Sequence, residues 1–544
     1  MSDSHAPPSA TSHPAGAALW TTRLDRESAV PLLRQLAAAL RQAVSEGRFG
    51  EGARLPSTRA LAAELGIARS TVVAVFEQLA AEGYVVARAG SGYFVPPPLA
   101  KPPPGGRDVE TDRPRPLARR VALLRKLMPP RRGGPRPFDL GFAEIDGRFI
   151  ATWKHLASRA LSGRSRLAWS YGEPHGEKTL RQAIAEYLAA ARGVRCTPEQ
   201  IVVTTGTQQG LSLVVRILID PGDAAWVEDP CYRSTVDILR GAEARIVPVP
   251  VDEQGLNIAA TGEGVLSPRL IYTTPSRQYP LGMAMPLPRR AALLAWAQAV
   301  GAWIIEDDYE SEFQQPGRML PSLQGLDRGG RVIYLGTFSK LLFPSLRLGY
   351  AVLPEDLVEP FVAARHLADR QSPALTQTMM ADFILDGHFA RHLKRMRALY
   401  AERQAFIVAE ATRRLIGLVE IRPQECGMYL TAWLPPHWSD IDTAAALANA
   451  EVNTLPLSSL TLARRRPPGL VLGYTGHSEA AMASAIEHMA RLLEFGQPTS
   501  LALSGLSINC PSSQTCRSTP HPGEHRSGRA PGDEPGAVCD ERPR

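Results

Sequence analysis

One lysine lies between two apolar runs, and no other feature restricts the possible folds of this chain as strongly. The run V-I-Y-L-G begins at Val332 and leads to Lys340, while the run L-G-Y-A-V follows Arg347 and ends at Val352. Short apolar runs of this kind predict buried strands. Burial of an unpaired ammonium group costs much free energy, so a lysine between such strands requires a chemical reason.

The reason can be that Lys340 is not a free amine but forms a Schiff base with an aldehyde cofactor. The hydroxyl of Thr337 and the guanidinium of Arg347 then suit a phosphate group on that cofactor. The alternative is a surface lysine in a turn, with an arginine nearby by chance. The segment alone leaves both interpretations open, and residues elsewhere in the chain are needed to choose between them.

Composition limits the class of protein. The chain has 544 residues, 44% of them hydrophobic, which is enough for more than one domain. Its apolar runs are shorter than the roughly 18 residues of a membrane span. The N-terminus lacks the basic start and apolar middle of a signal peptide. Six scattered cysteines without a C-x-x-C pair do not indicate a metal site. We therefore expect a cytoplasmic protein without a metal ion or a membrane partner.

The N-terminal part predicts a disordered arm followed by a small DNA-binding domain at residues 21–95. Residues 1–20 lack periodicity and predict the arm. Apolar residues at helical spacing predict a first helix from Val30 to about Gly47.

Two further short helices follow, joined by a turn at Gly66. Ser57 is expected to cap the first of them, which runs through Leu65, and the second is expected over residues 69–82. This arrangement predicts a helix-turn-helix whose second helix is available to a DNA major groove. The alternative is a small helical bundle with solvated arginines.

A β-hairpin wing behind the helices favours DNA binding. Apolar runs at residues 84–86 and 93–95 flank Gly90-Ser91-Gly92. The segment, with R-L-P-S, E-L-G, R-x-T-V and G-S-G-x-F-V in order, resembles the winged-helix domain of the GntR family of bacterial regulators. Ala68 departs from that family, which often has a serine before the arginine. The candidate DNA-binding residues are Arg54, Ser57, Arg69, Ser70, Thr71, Arg88 and Gly92.

The remainder of the chain divides by composition. Residues 96–137 are rich in proline and arginine and predict a semi-rigid linker, and residues 497–544 predict a disordered tail. Between them, residues 138–496 alternate strand-like and helical stretches. That alternation predicts a large α/β domain with a mostly parallel sheet.

Several segments of this large domain supply candidates for a site around Lys340. Gly206 and Thr207 lie at a strand-to-helix turn, where backbone N–H groups can face a phosphate. Tyr232 and Tyr279 each follow a predicted strand, and their rings can contact a flat cofactor. Each observation has an ordinary alternative, because many helices begin in this way and many such tyrosines belong to the core.

Another segment ends in acidic residues. W-I-I-E-D-D-Y places Asp307 and Tyr309 at the carboxyl end of an apolar strand, where open α/β sheets bind ligands. An aspartate there can pair with the protonated nitrogen of a pyridine ring, and Tyr309 can reach the phenolic oxygen of that ring. A solvated strand end is the alternative.

The order and spacing of these segments, together with Y-G-x-P-x-G from Tyr171, resemble the fold-type I aminotransferases that use pyridoxal 5′-phosphate. The resemblance implies that Lys340 forms the Schiff base and that Asp307 pairs with the ring nitrogen. It further implies ring contacts from Tyr232, Tyr279 and Tyr309, phosphate contacts from Gly206, Thr207, Thr337 and Arg347, and a contribution of Tyr171 across a dimer interface.

A GntR-like head before an aminotransferase-like body resembles the architecture of the MocR-type regulators, also called the PdxR group. The resemblance implies a head-to-tail homodimer that binds operator DNA and senses pyridoxal 5′-phosphate, or an amine or amino-acid effector, through Lys340. The alternative is an active aminotransferase with a DNA-binding appendage. Such enzymes hold the substrate carboxylate with an arginine near the C-terminal end, but the corresponding segment from Gly469 to Gly476 has none. This favours regulation and makes Arg277 a candidate for the carboxylate contact.

Overall fold

The structure is a computed structural model that describes residues 24–97, 117, 121, 135–162, 169–262, 264–314, 320–425, 427–463 and 466–495. The chain divides into two compact units, Met1–Leu117 and Ala118–Arg544. The predicted N-terminal arm, the predicted C-terminal tail and most of the predicted linker lie outside the described residues.

Among its described residues, the first unit contains three helices and a small sheet. The elements are α1 (Leu32–Ser45), α2 (Thr58–Leu65), α3 (Arg69–Ala81), β1 (Val86–Arg88) and β2 (Gly92–Phe94). Ser57 caps α2, because its hydroxyl accepts a hydrogen bond of 3.1 Å from the backbone N–H of Ala60. Gly66 ends α2 in the left-handed conformation, with φ 61°. The predicted helix-turn-helix and hairpin are confirmed.

One apolar core holds these elements together. Phe76 and Leu79 of α3 are buried in a single cluster with Leu36 and Leu40 of α1. The sheet also has a contribution that the sequence analysis did not predict, since Arg54 pairs with the wing strand β2 in antiparallel fashion. The wing is therefore attached to the chain segment that precedes α2.

The second unit is built around an eight-stranded sheet. In chain order its strands are β3 (Ile201–Thr204), β4 (Ala224–Asp229), β5 (Arg245–Asp252), β6 (Gly255–Leu256), β7 (Leu270–Thr273), β8 (Trp303–Asp308), β9 (Val332–Thr337) and β10 (Gly349–Val352). Their spatial order is β3-β10-β9-β8-β7-β4-β5-β6. Strand β10 is antiparallel to both neighbours and β6 is antiparallel to β5, while the other adjacent pairs are parallel. This confirms the predicted mostly parallel sheet.

Helices and a second sheet surround this centre. The helices are α4 (Gly147–Ser162), α5 (Lys178–Arg192), α6 (Thr207–Leu218), α7 (Arg233–Gly241), α8 (Leu287–Val300), α9 (Leu323–Leu326), α10 (Glu355–Asp369), α11 (Ala374–Leu385), α12 (His388–Arg414), α13 (Asp440–Asn449) and α14 (Glu479–Phe495). The second sheet contains β11 (Glu420–Ile421), β12 (Tyr429–Trp433), β13 (Leu455–Pro456) and β14 (Gly469–Gly473), in the spatial order β11-β12-β14-β13. Within the described ranges, no helix has both the length and the apolar character needed to cross a membrane.

The central strands are buried and deliver polar residues to one edge of the large sheet. Every residue of β4, β7 and β9 is buried, as expected where helices cover both faces of a parallel sheet. Because β7, β8 and β9 are parallel, their carboxyl ends meet at the same edge. Asp307 and Thr337 lie at those ends, so this edge is the expected place for a ligand.

Candidate functional site

A cavity of about 180 Å³ opens at this edge of the sheet. Tyr171 is not among its described lining residues and is 79% exposed, with the Arg370 guanidinium 5.2 Å from its ring centroid. The role of Tyr171 across a dimer interface needs a second chain and stays a prediction. The cavity is lined by all the other residues that the sequence assigns to the cofactor, which are Gly206, Thr207, Tyr232, Tyr279, Asp307, Tyr309, Thr337, Lys340 and Arg347.

Lys340 follows β9, and its side chain lies against Gly141. A Cβ on that glycine would meet Cε of the lysine at 3.5 Å and Cδ at 3.7 Å, and it would overlap Nζ. Burial lowers the pKa of Lys340 below its ordinary 10.5, and Arg347 lowers it further, whereas Glu310 and Asp307 act in the opposite direction. A larger fraction of neutral amine is therefore available for reaction with an aldehyde.

Asp307 lies near the carboxyl end of β8 with its carboxylate buried. The Tyr272 hydroxyl donates a hydrogen bond of 2.7 Å to Oδ2, whereas Oδ1 has no hydrogen-bond partner among the described residues. Burial raises the pKa of Asp307 to about 7, and the Tyr272 hydrogen bond acts in the opposite direction. A buried carboxylate oxygen without a hydrogen-bond partner is unfavourable, so this site suits a ligand that donates a hydrogen bond to Oδ1.

An anion-binding arrangement lies at the start of α6. Gly206 precedes this helix with φ 121°, a conformation that L side chains rarely adopt. A Cβ on Gly206 would lie 3.6 Å from a guanidinium nitrogen of Arg347, so the cation lies directly beside the glycine. A helix N-terminus and a guanidinium both favour negative charge. Thr207, the first residue of α6, and Thr337 also line the cavity, so the site suits a phosphate group.

Aromatic side chains form another wall of the cavity. The Tyr279 ring centroid lies 5.7 Å from that of Tyr232, 5.9 Å from that of Tyr309 and 5.6 Å from that of Tyr429, with each pair edge to face. The Tyr309 hydroxyl is hydrogen-bonded to the Tyr429 hydroxyl and donates a bond of 3.1 Å to the Arg277 carbonyl oxygen. These contacts fix the rings in one arrangement, which suits a flat ligand.

The described residues fit pyridoxal 5′-phosphate, which is flat and carries a phosphate, an aldehyde and a ring nitrogen. The α6 N-terminus and Arg347 match the phosphate, and the lysine amine of Lys340 matches the aldehyde. The oxygen of Asp307 that lacks a partner among the described residues matches the protonated ring nitrogen. The donors and charges of the cavity therefore agree with the group that the sequence predicts.

Sequence reasoning missed several cavity residues, among them Gly141, Tyr272 and Glu310. Tyr272 lies in the middle of a buried strand, where a tyrosine ordinarily indicates core packing, and it meets Asp307 only because β7 and β8 are neighbours. Glu310 directly follows the acidic segment W-I-I-E-D-D-Y, and no local pattern distinguishes it from the acids nearby. Gly141 lies in the loop before α4 without any motif around it.

The predicted DNA contacts at the helices are accessible. Arg69 and Ser70 are exposed at the start of α3, while Thr71 is partly buried. The side-chain Nε of Arg69 donates a weak hydrogen bond of 3.4 Å to the Thr58 hydroxyl. Helix α3 has no side-chain cap, in agreement with alanine at position 68. Ser57 is exposed, and its hydroxyl is already used to cap α2.

The predicted DNA contacts of the wing also lie at its surface. The Arg54 guanidinium is placed beside Gly92, where a Cβ would lie 3.4 Å from Nε. The Arg88 guanidinium lies over the ring of Phe94, 4.4 Å from its centroid, as in a cation–π contact. Glycine at position 92 therefore leaves space for a positive charge at the tip of the wing.

Two parts of the chain match known families. Residues 32–95 match the family described as "Bacterial regulatory proteins, gntR family". Residues 138–489 match the family described as "Aminotransferase class I and II". The two matches coincide with the winged helix and with the unit that contains the cavity.

Known proteins are similar over most of the chain. A Rhizobium meliloti protein named "Probable rhizopine catabolism regulatory protein MocR" is 39% identical over 471 residues, which cover 86% of this chain and 94% of the relative. The "HTH-type pyridoxine biosynthesis transcriptional regulator PdxR" of Corynebacterium glutamicum is 30% identical, over 85% of this chain and 96% of the relative. The solved structure of LysN, an alpha-aminoadipate aminotransferase from Thermus thermophilus, is 28% identical with a TM-score of 0.63, over 70% of this chain and 97% of that chain.

Proposed function

Since this chain belongs to the MocR/PdxR-type transcriptional regulators, in which a GntR-family DNA-binding domain precedes an aminotransferase class I and II domain, we propose that it binds pyridoxal 5′-phosphate and senses an effector through it. The protein is a DNA-binding regulator. The proposal adds the cofactor, its attachment point at Lys340 and an amine-containing effector.

One observation carries the proposal: a single cavity combines a lysine of lowered pKa, an anion-binding helix start and a buried carboxylate oxygen that has no hydrogen-bond partner among the described residues. Each feature occurs alone in many proteins. Their combination around one cavity of about 180 Å³ supports the binding of a small flat anion that reacts with an amine.

The residues of the chain have separate tasks in this proposal. When bound, pyridoxal 5′-phosphate supplies an aldehyde carbon that combines with amines and a ring that withdraws electrons. Arg347 and the N-terminus of α6 orient the phosphate end, and Asp307 holds a proton at the ring nitrogen. Lys340 presents its amine, whose pKa burial lowers, beside Gly141. The tyrosine wall around Tyr279 excludes water from one side of the site.

An amine effector would compete with Lys340 for the aldehyde carbon of the bound cofactor, and this competition would link the cavity to the operator. The effector controls DNA binding only if it binds two states of the protein with different affinity. We propose that the state in which Lys340 is displaced differs in its affinity for the operator from the state in which Lys340 is attached.

The test begins with a genome-wide map of the DNA bound in the native cells, with and without added pyridoxine. Peaks that respond beside vitamin B6 genes would indicate that the protein senses the cofactor itself. Peaks beside genes for amine or amino-acid transport and breakdown would indicate a separate effector amine. Absence of reproducible peaks would contradict the regulator function and favour an active aminotransferase.

The second step compares Lys340→Ala with wild-type protein on DNA fragments from that map. We expect the variant to bind the fragments but to lose the response to the vitamin or amine. Exposed Lys394 on α12 provides a matched control, because Lys394→Ala removes the same side chain away from the cavity. A Lys340→Ala protein with the wild-type response would refute sensing through this lysine.

The remaining parts of the proposal concern assembly and place. We propose a head-to-tail homodimer, in which exposed Tyr171 reaches the site of the second subunit, with domain limits at residues 21–95 and 138–496. We also propose that the protein acts in the cytoplasm and at the nucleoid when bound to DNA. Sedimentation of the full chain tests the dimer, and Tyr171→Phe tests the contribution of that hydroxyl to cofactor affinity.

A further inference from the structure

A buried ion pair lies behind the wall of the cavity. Nε of Arg277 pairs with Oε1 of Glu310, and the two side chains are only 2% and 1% exposed. Glu310 lines the cavity, whereas Arg277 is not among the described lining residues. The positive member of the pair therefore lies behind the negative one.

The rest of the Arg277 guanidinium is also held by the protein. It donates hydrogen bonds to the Gln424 side-chain oxygen and, at 3.2 Å, to the Tyr429 carbonyl oxygen, and its Cζ lies 4.8 Å from the Tyr429 ring centroid. Gly427, with φ 114°, provides the space, because a Cβ at that position would overlap the guanidinium. Arg277 is thus committed to internal acceptors, and the carboxylate contact considered for it from the sequence requires this network to break.

Other arginines near the C-terminal segment are engaged as well. Arg403 pairs with Glu144 at 2.7 Å and donates to the Thr475 carbonyl oxygen. Arg466 donates a hydrogen bond of 2.6 Å to the Val251 carbonyl oxygen. Arg464 and Arg465 lie outside the described residues. The described part of the chain therefore offers no arginine at this cavity comparable to the carboxylate clamp of an amino-acid aminotransferase.

The charged side chains that line the cavity leave one acid for the effector. Among the described lining residues they are Lys340, Arg347, Asp307 and Glu310. The proposed cofactor uses the first three, and Glu310 is the one that remains. Its Oε1 pairs with Arg277 and its Oε2 accepts a hydrogen bond of 3.1 Å from the backbone N–H of Met428, so the negative member of the ion pair borders the cavity while both oxygens are held by the protein. A second carboxylate brought beside it in a desolvated site is repelled, whereas hydroxyl and amino groups can donate hydrogen bonds to it.

We infer that the effector is a primary amine without a carboxylate group, and that Glu310, paired with Arg277, is the residue that excludes amino acids. This inference rests on the proposed function, since it concerns the ligand of the same cavity. It narrows the effector from amines and amino acids in general to amines that carry neutral or hydrogen-bond-donating substituents.

The test uses amines and amino acids that differ only by the carboxylate: ethanolamine and L-serine, tyramine and L-tyrosine, cadaverine and L-lysine. Each is titrated by calorimetry into the full-length protein loaded with pyridoxal 5′-phosphate. We expect the amine of at least one pair to bind, and to bind about tenfold or more tightly than its amino acid, a difference of roughly 1.4 kcal/mol. An amino acid that binds as tightly as its amine, or no binding by any of the amines, would overturn the inference.

Glu310→Gln tests the residue itself, because it removes the acid and releases the charge of Arg277 toward the cavity. We expect the preference to shift by about tenfold or more toward the amino acid of the pair. Glu312→Gln is the matched control, since Glu312 is a buried acid two positions away that is not among the described lining residues. Equal shifts in both variants would contradict a specific role for Glu310. If Glu310→Gln does not fold, the wild-type preference still decides the inference.

The two proposals fail differently. Light absorption by the bound cofactor, recorded before each titration, shows whether pyridoxal 5′-phosphate is held. A wild-type protein that does not hold it refutes the proposed function, and this inference falls with it. A loaded protein that prefers amino acids refutes the inference alone.

Discussion

Replacement of Gly141 by alanine separates two effects that usually occur together, a strained backbone and a displaced lysine. Gly141 has φ 83°, and left-handed backbone costs an ordinary residue roughly 1–2 kcal/mol. The new Cβ would also overlap Nζ of Lys340, while Cε and Cδ are already in van der Waals contact at 3.5 and 3.7 Å. To restore a contact distance of about 3.5 Å, the amine has to move by roughly 1 Å.

Gly222 provides the matched control. Its φ of 94° is similar, but a Cβ there would meet no atom within 4 Å. Gly222→Ala and Gly141→Ala should therefore both lower the free energy of unfolding by about 1–2 kcal/mol, measured in urea. Only Gly141→Ala should slow attachment of pyridoxal 5′-phosphate, by about 100-fold for a misplacement of roughly 1 Å.

The assay follows light absorption by the cofactor after it is mixed with cofactor-free protein, and then the amount retained after gel filtration. Attachment at the wild-type rate in Gly141→Ala would refute the close approach of Gly141 to the Lys340 amine. Equal slowing in both variants would show that backbone strain, and not the position of the amine, is responsible.

Further predictions concern pH, the ring partner and DNA. In cofactor-free protein, Lys340→Met should raise the melting temperature at pH 7, because Lys340 has a lower pKa in the folded protein than in the unfolded chain. The stability of the wild type therefore rises with pH, and the difference in melting temperature between variant and wild type should shrink toward pH 10.5. A difference that stays constant with pH would contradict burial of the amine. Asp307→Asn should weaken cofactor affinity by about tenfold or more in equilibrium dialysis, since a charged hydrogen bond contributes roughly 1.5–3 kcal/mol. Unchanged affinity would exclude a contact between Asp307 and the ring nitrogen of the cofactor. Arg69→Ala should weaken operator binding and lower the salt slope by about 1, while Arg41→Ala, whose guanidinium pairs with Glu82, should leave both unchanged in anisotropy titrations.

Much of the first unit and of the site could be predicted because the controlling interactions are local. Ser57 caps a helix that begins at the next residue, and Gly66 ends that helix by its own left-handed conformation. The turn at Gly206 and the acidic end of β8 likewise follow from residues adjacent in sequence. Patterns of a few residues suffice where the physical cause spans only a few residues.

Other features depend on contacts that no short pattern contains. Tyr272 reaches Asp307 only because the sheet places β7 beside β8. Gly141 contacts Lys340 from a loop that lies much earlier in the sequence. The sequence alone made Arg277 a candidate for the ligand carboxylate, because a sequence does not show whether a guanidinium is already paired with an acid elsewhere in the chain. The ion pair with Glu310 forms when two loops are buried together, so tertiary packing decided where that charge is directed.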